Sequence, residues 1–595
     1  MFRILFCLGL IVCQSVVFSG FIYPKYDDSL ILKWWQSGVI YQVYVRSFKD
    51  SDGDGIGDLH GLTEKIEYLK DLGVGAIWLS PIFKSPQYDI GYDISDYRDI
   101  DPSYGTLDDF DKLIDESHKA GIKVILDFVP NHSSHEHEWF KKSVKRIAPY
   151  TDYYVWKDAA KNEKGERIPP NNWLSVFNSG SAWEWDEERQ QYYFHQFLVQ
   201  QPDLNYRCPA LVEEIKNVMR YWLDRGVDGF RFDAVPALFE VENLMDEPKS
   251  SKSDALPTDY DYLDHPYTQD QPETFDMVQQ WREVLDSYEN KGSDVTKFFM
   301  VETYSPIDKI MKYYGTDARP GAHFPFNFFF IQQFNRQSNA SKAIDIVASW
   351  LDNLPAGKWP NWVFGNHDQP RLASRLDSNL VDGIHMIQLL LPGTTVTYNG
   401  DELGMENTFI RWDQTVDNAG LNVGSSRYQL FSRDPERSPF IWNDDLNAGF
   451  SSAKKTWLPV DPSYWINNVE AQSYTNSHLK VYKQLVQLRK SKTITHGDLQ
   501  LFEASEWVFG FIRALEDYPT YIVVVNLGSE YESIDLQKIR PTLPRYLRAK
   551  IYSINHSPDV KLDDEFLSSD IRLTPKSSYV LTTADIIEND TTDLK

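Results

Sequence analysis

Residues 229–235 read GFRFDAV, a short apolar stretch that carries two charged side chains, Arg231 and Asp233. Successive side chains of a strand point to opposite faces, so Arg231 and Asp233 share one face and Phe232 lies on the other. A helical pattern at 209–226, PALVEEIKNVMRYWLDRG, comes directly before and ends in a glycine. The stretch therefore predicts a strand of an α/β fold that turns an Arg–Asp pair inward and an aromatic ring toward the helices.

The same alternation of strand and helix recurs along the chain. The strand candidates occupy residues 38–48, 75–81, 122–132, 227–235, 297–304, 323–330, 361–368 and 394–404. Helical material follows each of them, and strands that alternate with helices form a parallel sheet. Eight such units close into a (β/α)8 TIM barrel, which we expect to comprise residues 33–132 and 208–491.

Two segments depart from this alternation. Residues 133–207 are rich in Trp, Tyr, Asn and Gly and begin without a crossover helix, which predicts a small domain inserted after the third strand. From residue 492 to residue 583, strand-like runs alternate with turns. This pattern indicates a C-terminal antiparallel β-domain, built like a β-sandwich.

The composition narrows the possible functions. The 595-residue chain is 42% hydrophobic and has a formal net charge of −27. Nucleic-acid binding needs a basic surface, so the charge argues against a nucleic-acid partner. The sequence contains no Walker A motif, no dinucleotide glycine motif, no GxSxG elbow and no zinc-ligand spacing. We therefore expect no catalytic cofactor.

The N-terminus has the pattern of a secretory signal. One Arg precedes an apolar run, and Val17 and Ser19 stand at the −3 and −1 positions of a cleavage site after residue 19. The chain is thus predicted to be secreted, whereas an uncleaved segment would anchor it in a membrane. Cleavage removes Cys7 and Cys13, so the mature chain keeps Cys208 and forms no intrachain disulfide.

Polar and charged residues stand toward the C-terminal ends of four of the predicted strands. The third ends with Asp127, Asn131 and His132, the fourth carries Arg231 and Asp233, the fifth ends with Glu302, and the seventh ends with His367 and Asp368. The active sites of such barrels lie at the C-terminal ends of the strands. Paired carboxylates there, one ionised and one protonated, suit acid/base and nucleophilic chemistry at an acetal carbon.

Five motifs in fixed order resemble the α-amylase family, glycoside hydrolase family 13. They are DFVPNH, QPDLN, GFRFDAV, VETY and GNHDQPR, and the resemblance covers residues 33 to 583. QPDLN at 201–205 is similar to the oligo-1,6-glucosidase and maltase branch, and the loop at 257–278 looks like that of secreted insect maltases. The resemblance implies a retaining α-glucosidase that releases α-glucose through a covalent glucosyl-Asp intermediate.

The family's roles transfer motif by motif. The resemblance implies that Asp233 is the nucleophile, Glu302 the general acid/base, and Asp368 the carboxylate that binds the 2- and 3-hydroxyls. Arg231 would orient Asp233, with Asp127 beside it. His132 and His367 would hydrogen-bond the same ring.

Three further residues are implied to close the pocket at one end. Asp89 would bind the non-reducing-end hydroxyl, Tyr92 would stack under the ring, and Arg437 would pair with Asp89. A closed pocket implies an exo-acting enzyme. Ala234 follows the nucleophile, and in this branch a small residue there goes with α-1,4 linkages. The expected substrates are therefore maltose, short malto-oligosaccharides and sucrose.

The loop DSDGDGIGDLHG at 50–61 resembles a calcium loop, but it follows a strand and has Gly61 where an EF-hand needs Glu. Its oxygens still suit a structural calcium ion, and the branch holds a metal in a similar loop. The expected ligands are Asp50, Asp52, Asp54, the Ile56 carbonyl and Asp58.

Two alternatives stay open at this point. The chain could be an inactive barrel that serves as a binding protein, like the heavy chains of amino-acid transporters. All three predicted carboxylates, Asp233, Glu302 and Asp368, are present, which argues against that alternative. Transfer of glucose to a sugar instead of water would use the same covalent intermediate, so the sequence does not separate the two outcomes. The sequence points to no particular protein partner.

Overall fold

A computed structural model of the chain describes residues 21–27, 29–289 and 296–583. Within these ranges, eight parallel strands form a barrel that matches the predicted strands in order. The barrel strands are Val39–Val43, Ala76–Leu79, Lys123–Phe128, Gly229–Phe232, Phe298–Val301, Phe324–Pro325, Asn361–Val363 and Thr394–Tyr398. The predicted α/β barrel is confirmed.

The barrel strands are buried on both faces because helices pack around them. Phe232 illustrates this packing: its ring stacks on Trp281 of the surrounding helix Pro272–Asp286 at a centroid distance of 4.5 Å. The longer outer helices are Ile66–Leu72, Leu107–Lys119, Pro209–Asp224, Pro272–Asp286, Ala340–Asn353, Val381–Leu390 and His478–Arg489. Phe232 thus faces outward, as the alternation in GFRFDAV predicts.

One side chain closes the barrel where the backbone ladder is missing. The sheet order runs from the sixth strand round to the seventh, but these two strands do not pair directly. The amide of Asn361 joins them: its Oδ1 accepts from the Asn327 amide at 2.9 Å, and its Nδ2 donates to the Pro325 carbonyl at 2.7 Å. Asn361 is fully buried, so its two hydrogen bonds satisfy polar groups that water does not reach.

The insertion after the third strand has its own small core. It contains the helix Glu138–Val144 and an antiparallel sheet of Trp156–Lys157, Trp183–Asp186 and Gln191–Phe194. Trp173 and Trp183 stack inside it. A bridge between His132 and Asp203 brings both ends of the insertion together, so it stands over the mouth of the barrel.

A seven-stranded antiparallel sheet forms the C-terminal part. Its strands, in spatial order, are Ile22–Tyr23, Asp498–Ser505, Val508–Ala514, Tyr521–Asn526, Ser578–Thr582, Tyr546–Tyr552 and Glu565–Leu567. A second sheet, of Glu532–Ile534 and Ile571–Leu573, packs into the same core. The edge strand Ile22–Tyr23 comes from the start of the described chain, a pairing that the sequence did not indicate.

No helix within the described ranges is long and apolar enough to span a membrane. The predicted signal segment, residues 1–19, lies outside the described residues.

Candidate active site

The guanidinium of Arg231 stands at the centre of the site and contacts carboxylates from three neighbouring strands. Its Nη1 lies 3.0 Å from Asp127 Oδ1 and 2.5 Å from Asp233 Oδ1, and its Nη2 lies 2.8 Å from Glu302 Oε1. The parallel register puts Arg231 directly opposite Asp127, so the strand alignment itself makes the first contact. The Arg231 side chain is only 1% exposed, and its charge is therefore shared among buried carboxylates.

Glu302 is also held from the side of the fourth strand. The Ala234 amide donates to its Oε2 at 3.0 Å. Ala234 adopts a left-handed conformation, with φ of 48°, where the strand gives way to the short helical turn Val235–Ala237. Such a conformation is uncommon outside glycine, and here it aims an amide at the carboxylate.

Burial and charge give different pKa values to Asp233 and Glu302, two of the carboxyl groups that contact Arg231. Burial raises the pKa of Glu302 to about 8, and the charges of Asp233 and Asp368 add to that rise while Arg231 opposes it. Burial also raises the pKa of Asp233, to about 6, and Arg231 again opposes the rise. A hydrogen bond links the two groups. Near neutral pH, Asp233 is therefore the ionised member and Glu302 the protonated one.

Two arginines hold the third carboxylate in its ionised form. Asp368 Oδ1 lies 3.1 Å from Arg433 Nη1 and 2.8 Å from Arg437 Nη2. Burial alone would raise the pKa of Asp368, but the surrounding charges lower it below its ordinary range. Burial lowers the pKa of His367 well below its ordinary value, so this imidazole is neutral and the guanidiniums supply the positive charge.

The partner predicted for Asp89 is wrong. Arg433, not Arg437, contacts Asp89, with Nη2 at 3.1 Å from Oδ1, and it also binds the buried Asp417 at 2.7 Å. Arg437 is fully buried and turns instead to Asp368 and to the His367 carbonyl, to which its Nε donates at 2.8 Å. Both arginines stand in SRDPERSP and both contact Asp368, but only Arg433 also reaches Asp89.

Sequence reasoning named the motif of Gln201 without giving this residue a role. Its Nε2 donates to Asp89 Oδ2 at 2.9 Å and lies 3.1 Å from His132 Nε2. Tyr92 completes this end of the site, because its hydroxyl lies 2.6 Å from His367 Nε2 and its ring stacks on the imidazole. Gln201 therefore links two predicted binding residues, and the QPDLN motif was the signal for it.

These groups surround a cavity of about 360 Å³. Six predicted residues line it: Asp89, Tyr92, His132, Asp233, Glu302 and Asp368. The other three, Arg231, His367 and Arg437, lie behind the lining and contact its carboxylates and Tyr92. Sequence reasoning missed several lining residues, namely Phe177, Phe197, Tyr260, Gln269, Tyr304 and Arg433. The aromatic residues of the insertion were the available signal for Phe177 and Phe197.

The acidic loop at 50–61 brings together only part of its predicted ligand set. One carboxylate oxygen each of Asp50, Asp52 and Asp58 lies within 4.8 Å of the others. Asp54 is outside this group, and its Oδ1 accepts from the Ile56 amide at 2.7 Å. Three converging carboxylates fit the all-oxygen coordination that calcium prefers.

This acidic loop is fixed to a later segment of the chain. The Asp50 amide donates to the Phe450 carbonyl at 3.0 Å, and the Trp457 amide donates to the Gly55 carbonyl at 3.0 Å. Gly55 has φ of 96° and a Cβ there would meet the Lys455 carbonyl at 2.4 Å, so the close approach requires glycine. None of the loop's acidic residues lines the cavity.

Comparison with known proteins gives consistent matches. A family profile described as the alpha amylase catalytic domain matches residues 42–497. Maltase 1 of Drosophila virilis is 47% identical over 558 residues, which cover 93% of this chain and 87% of that protein. The salivary alpha-glucosidase of Aedes aegypti is 48% identical over 513 residues, which cover 85% of this chain and 88% of that protein.

A solved structure agrees with these matches. The alpha-glucosyl transfer enzyme XgtA superimposes with a TM-score of 0.81 at 32% sequence identity, covering 93% of this chain and 100% of that chain.

A pair of double-mutant cycles tests which arginine pairs with Asp89. We expect Asp89→Asn and Arg433→Met to couple by about 1–3 kcal/mol in the free energy of unfolding, because they share a buried ion pair. The matched cycle of Asp89→Asn with Arg437→Met should give less than about 0.5 kcal/mol. Urea unfolding of the single and double variants measures both energies. A larger coupling with Arg437 would contradict the assignment.

Proposed function

The chain belongs to the α-amylase family of glycoside hydrolases, and we propose that it is a retaining, exo-acting α-glucosidase. Its substrates would be maltose, short malto-oligosaccharides and sucrose, cleaved at the non-reducing end to release α-glucose. One observation carries this proposal: Asp233 and Glu302, from adjacent strands, share the guanidinium of Arg231 and a hydrogen bond with each other.

The shared guanidinium favours retention over inversion. Retaining enzymes keep their two carboxyl groups about 5–5.5 Å apart, whereas inverting enzymes leave about 6.5–9.5 Å for a water molecule. Asp233 attacks the anomeric carbon while Glu302 gives its proton to the departing oxygen, and a glucosyl ester forms on Asp233. Glu302, now ionised, takes a proton from water as the water oxygen attacks the same carbon and releases Asp233. The chain's own carboxyl groups carry every proton in this sequence.

The far end of the cavity supports exo action. Asp89 is bonded there to both Gln201 and Arg433, and these three residues would close the path for a longer chain beyond the terminal glucose. Asp368 and His132 line the cavity and can bind ring hydroxyls directly. His367 acts from behind, through Tyr92 and Asp368, in this proposal.

The linkage preference rests on a small side chain. Ala234 lines the cavity next to the nucleophile and leaves room beside the scissile bond. We therefore favour α-1,4-linked glucosides. The N-terminal signal pattern, together with a relative named as a salivary enzyme, supports secretion of this protein.

We also propose a structural calcium ion held by Asp50, Asp52 and Asp58. It would neutralise three converging carboxylates and stiffen a loop that is already tied to residues 450–457. The loop contributes no lining residue, so the ion would take no part in catalysis.

NMR of the sugar released by purified protein tests the reaction. We expect maltose and sucrose to yield α-glucose first, since two displacements at the anomeric carbon retain its configuration. Asp233→Asn should lower the rate at least about 10⁴-fold, because it removes the nucleophile. Asp413→Asn, an exposed aspartate of the same type, serves as the matched control. Initial β-glucose would overturn retention, and failure to cleave either sugar would favour a binding protein.

The pH profile of kcat/KM for maltose should be bell-shaped. The rate falls below pH about 6 as Asp233 takes up a proton, and it falls above pH about 8 as Glu302 loses the proton it must donate. In Glu302→Gln the rate on maltose should fall steeply and the residual rate should lack the alkaline limb, because the amide neither gives a proton to the departing oxygen nor titrates in this range. Initial rates across the pH range measure this, and a wild-type rate still rising at about pH 9 would contradict Glu302 as the acid.

Calorimetric unfolding with added Ca²⁺ tests the metal site. At a concentration about 100-fold above Kd, the ion should stabilise the protein by about 2.7 kcal/mol. Asp52→Ala should abolish the response, whereas Asp54→Ala, outside the carboxylate group, should keep it. Chelator should reverse the shift without changing kcat. An equal loss in both variants would argue against the three-carboxylate set.

A further inference from the structure

The lining of the cavity divides into a charged side and a neutral side. The charged side comprises Asp89, Asp368 and Arg433, from the loops after the second, seventh and eighth strands, together with His132 from the loop after the third, whose imidazole is uncharged because burial lowers its pKa to about 4. Apart from Asp233 and Glu302, the lining residues of the fourth and fifth strands and their loops carry no charge. These residues form the neutral side, and its members are Ala234, Pro236, Ala237, Tyr260, Gln269, Thr303, Tyr304 and Ser305. Given the proposed function, the transferred glucose lies on the charged side. The sugar that leaves or accepts it therefore lies on the neutral side.

Tyr260 is fixed on that neutral side by groups from several directions. Asn178 Oδ1 accepts from its backbone amide at 2.8 Å, and Gln269 Nε2 donates to its hydroxyl at 2.8 Å. His265 covers one face of the ring, with centroids 3.6 Å apart and planes within 5°. The His265 Nδ1 in turn lies 2.7 Å from Glu247 Oε2, which is buried. These contacts hold the ring of Tyr260 in one position.

Three segments meet around this ring, and each pair of segments is joined. Asn178 of the inserted domain binds Tyr260 of the loop after the fourth strand. Asp259 of that loop receives two hydrogen bonds from Arg427, at 2.7 and 3.2 Å, which comes from the loop after the eighth strand. Asn422 of the latter loop donates to the carbonyl of Phe177 at 2.9 Å, which returns to the inserted domain. We call Asn178, Asp259, Asn422 and Arg427 the clasp.

We infer that Tyr260 binds the leaving or accepting sugar and that Asp259 and Arg427 are positioning residues which keep this ring in place. An aromatic ring beside the Gln269 amide suits a pyranose, which offers an apolar face and hydroxyl groups. The clasp joins loops that would otherwise move independently. Less conformational entropy is therefore lost when the sugar binds. Arg427 and Asp259 touch neither the reacting carboxylates nor the charged side of the cavity.

The neutral side of the cavity should affect transfer to a sugar and transfer to water differently. In transfer, a hydroxyl oxygen of the accepting sugar attacks the anomeric carbon of the glucosyl ester. The bond to Asp233 breaks and the hydroxyl proton goes to Glu302. In hydrolysis, a water molecule attacks the same carbon and also gives its proton to Glu302, but it has no sugar ring for the neutral side to bind. Loosening the clasp should therefore reduce transfer to sugars more than transfer to water.

The experiment compares maltose with α-glucosyl fluoride, whose leaving group has no ring and makes no use of the neutral side. For Arg427→Ala and Tyr260→Ala we expect KM for maltose to rise about tenfold. The ratio of transfer products to free glucose at high maltose should fall about fivefold, and kcat/KM for the fluoride should fall less than about twofold. Retained turnover of the fluoride also shows that the variants are folded.

Two further proteins complete the design. Arg319→Ala breaks an exposed ion pair with Asp276 away from the cavity and should leave all three quantities unchanged. The charge swap Asp259→Arg with Arg427→Asp should restore at least part of the transfer ratio lost in Arg427→Ala, because the same pair forms in reverse.

Equal losses on maltose and the fluoride, or no change on either, would overturn the inference. A wild-type protein that cleaves neither compound would overturn the proposed function itself, and this inference with it.

Discussion

The site depends on one buried cation that contacts more carboxylates than its single charge can neutralise. Arg231 contacts Asp127, Asp233 and Glu302 and is nearly inaccessible to solvent. A single guanidinium cannot neutralise three buried carboxylates, and an unpaired buried charge costs several kcal/mol. One carboxyl group must therefore hold a proton near neutral pH, and the pKa of Glu302 is raised furthest. The excess of negative charge is what makes a protonated carboxyl group available beside an ionised one.

The surroundings of Asp368 have the opposite effect on its pKa. Two guanidiniums contact it and lower its pKa, so it stays ionised beside a group that stays protonated. The same two arginines are shared with Asp89, Asp417 and the His367 carbonyl, which ties the charged side of the cavity into one network. The neutral side lacks such charges and is shaped by aromatic rings and amides. This asymmetry suits the proposed reaction, in which charged groups bind one sugar and aromatic rings and amides contact the other.

The barrel and its carboxylates could be predicted because their signals are local. Strand alternation in GFRFDAV places Arg231 and Asp233 on one face, and the parallel register brings Asp127 opposite. Each predicted strand appears in the structure in order. The role of Asn361 in joining the sixth and seventh strands could not be predicted. Nothing in NWVFGNHD distinguishes a side chain that makes hydrogen bonds in place of backbone pairing from one that only packs in the core.

The sequence by itself determined the eight-stranded barrel, its insertion, and which strand ends carry carboxylates, because those properties follow from periodicities of a few residues. Only the tertiary structure decided that Arg433 rather than Arg437 meets Asp89, across 344 positions of the chain. It alone brought Asn178, Asp259 and Arg427 together around Tyr260. Such contacts depend on the paths of long irregular loops. Those paths are fixed by hydrogen bonds between distant segments, and no short pattern encodes them.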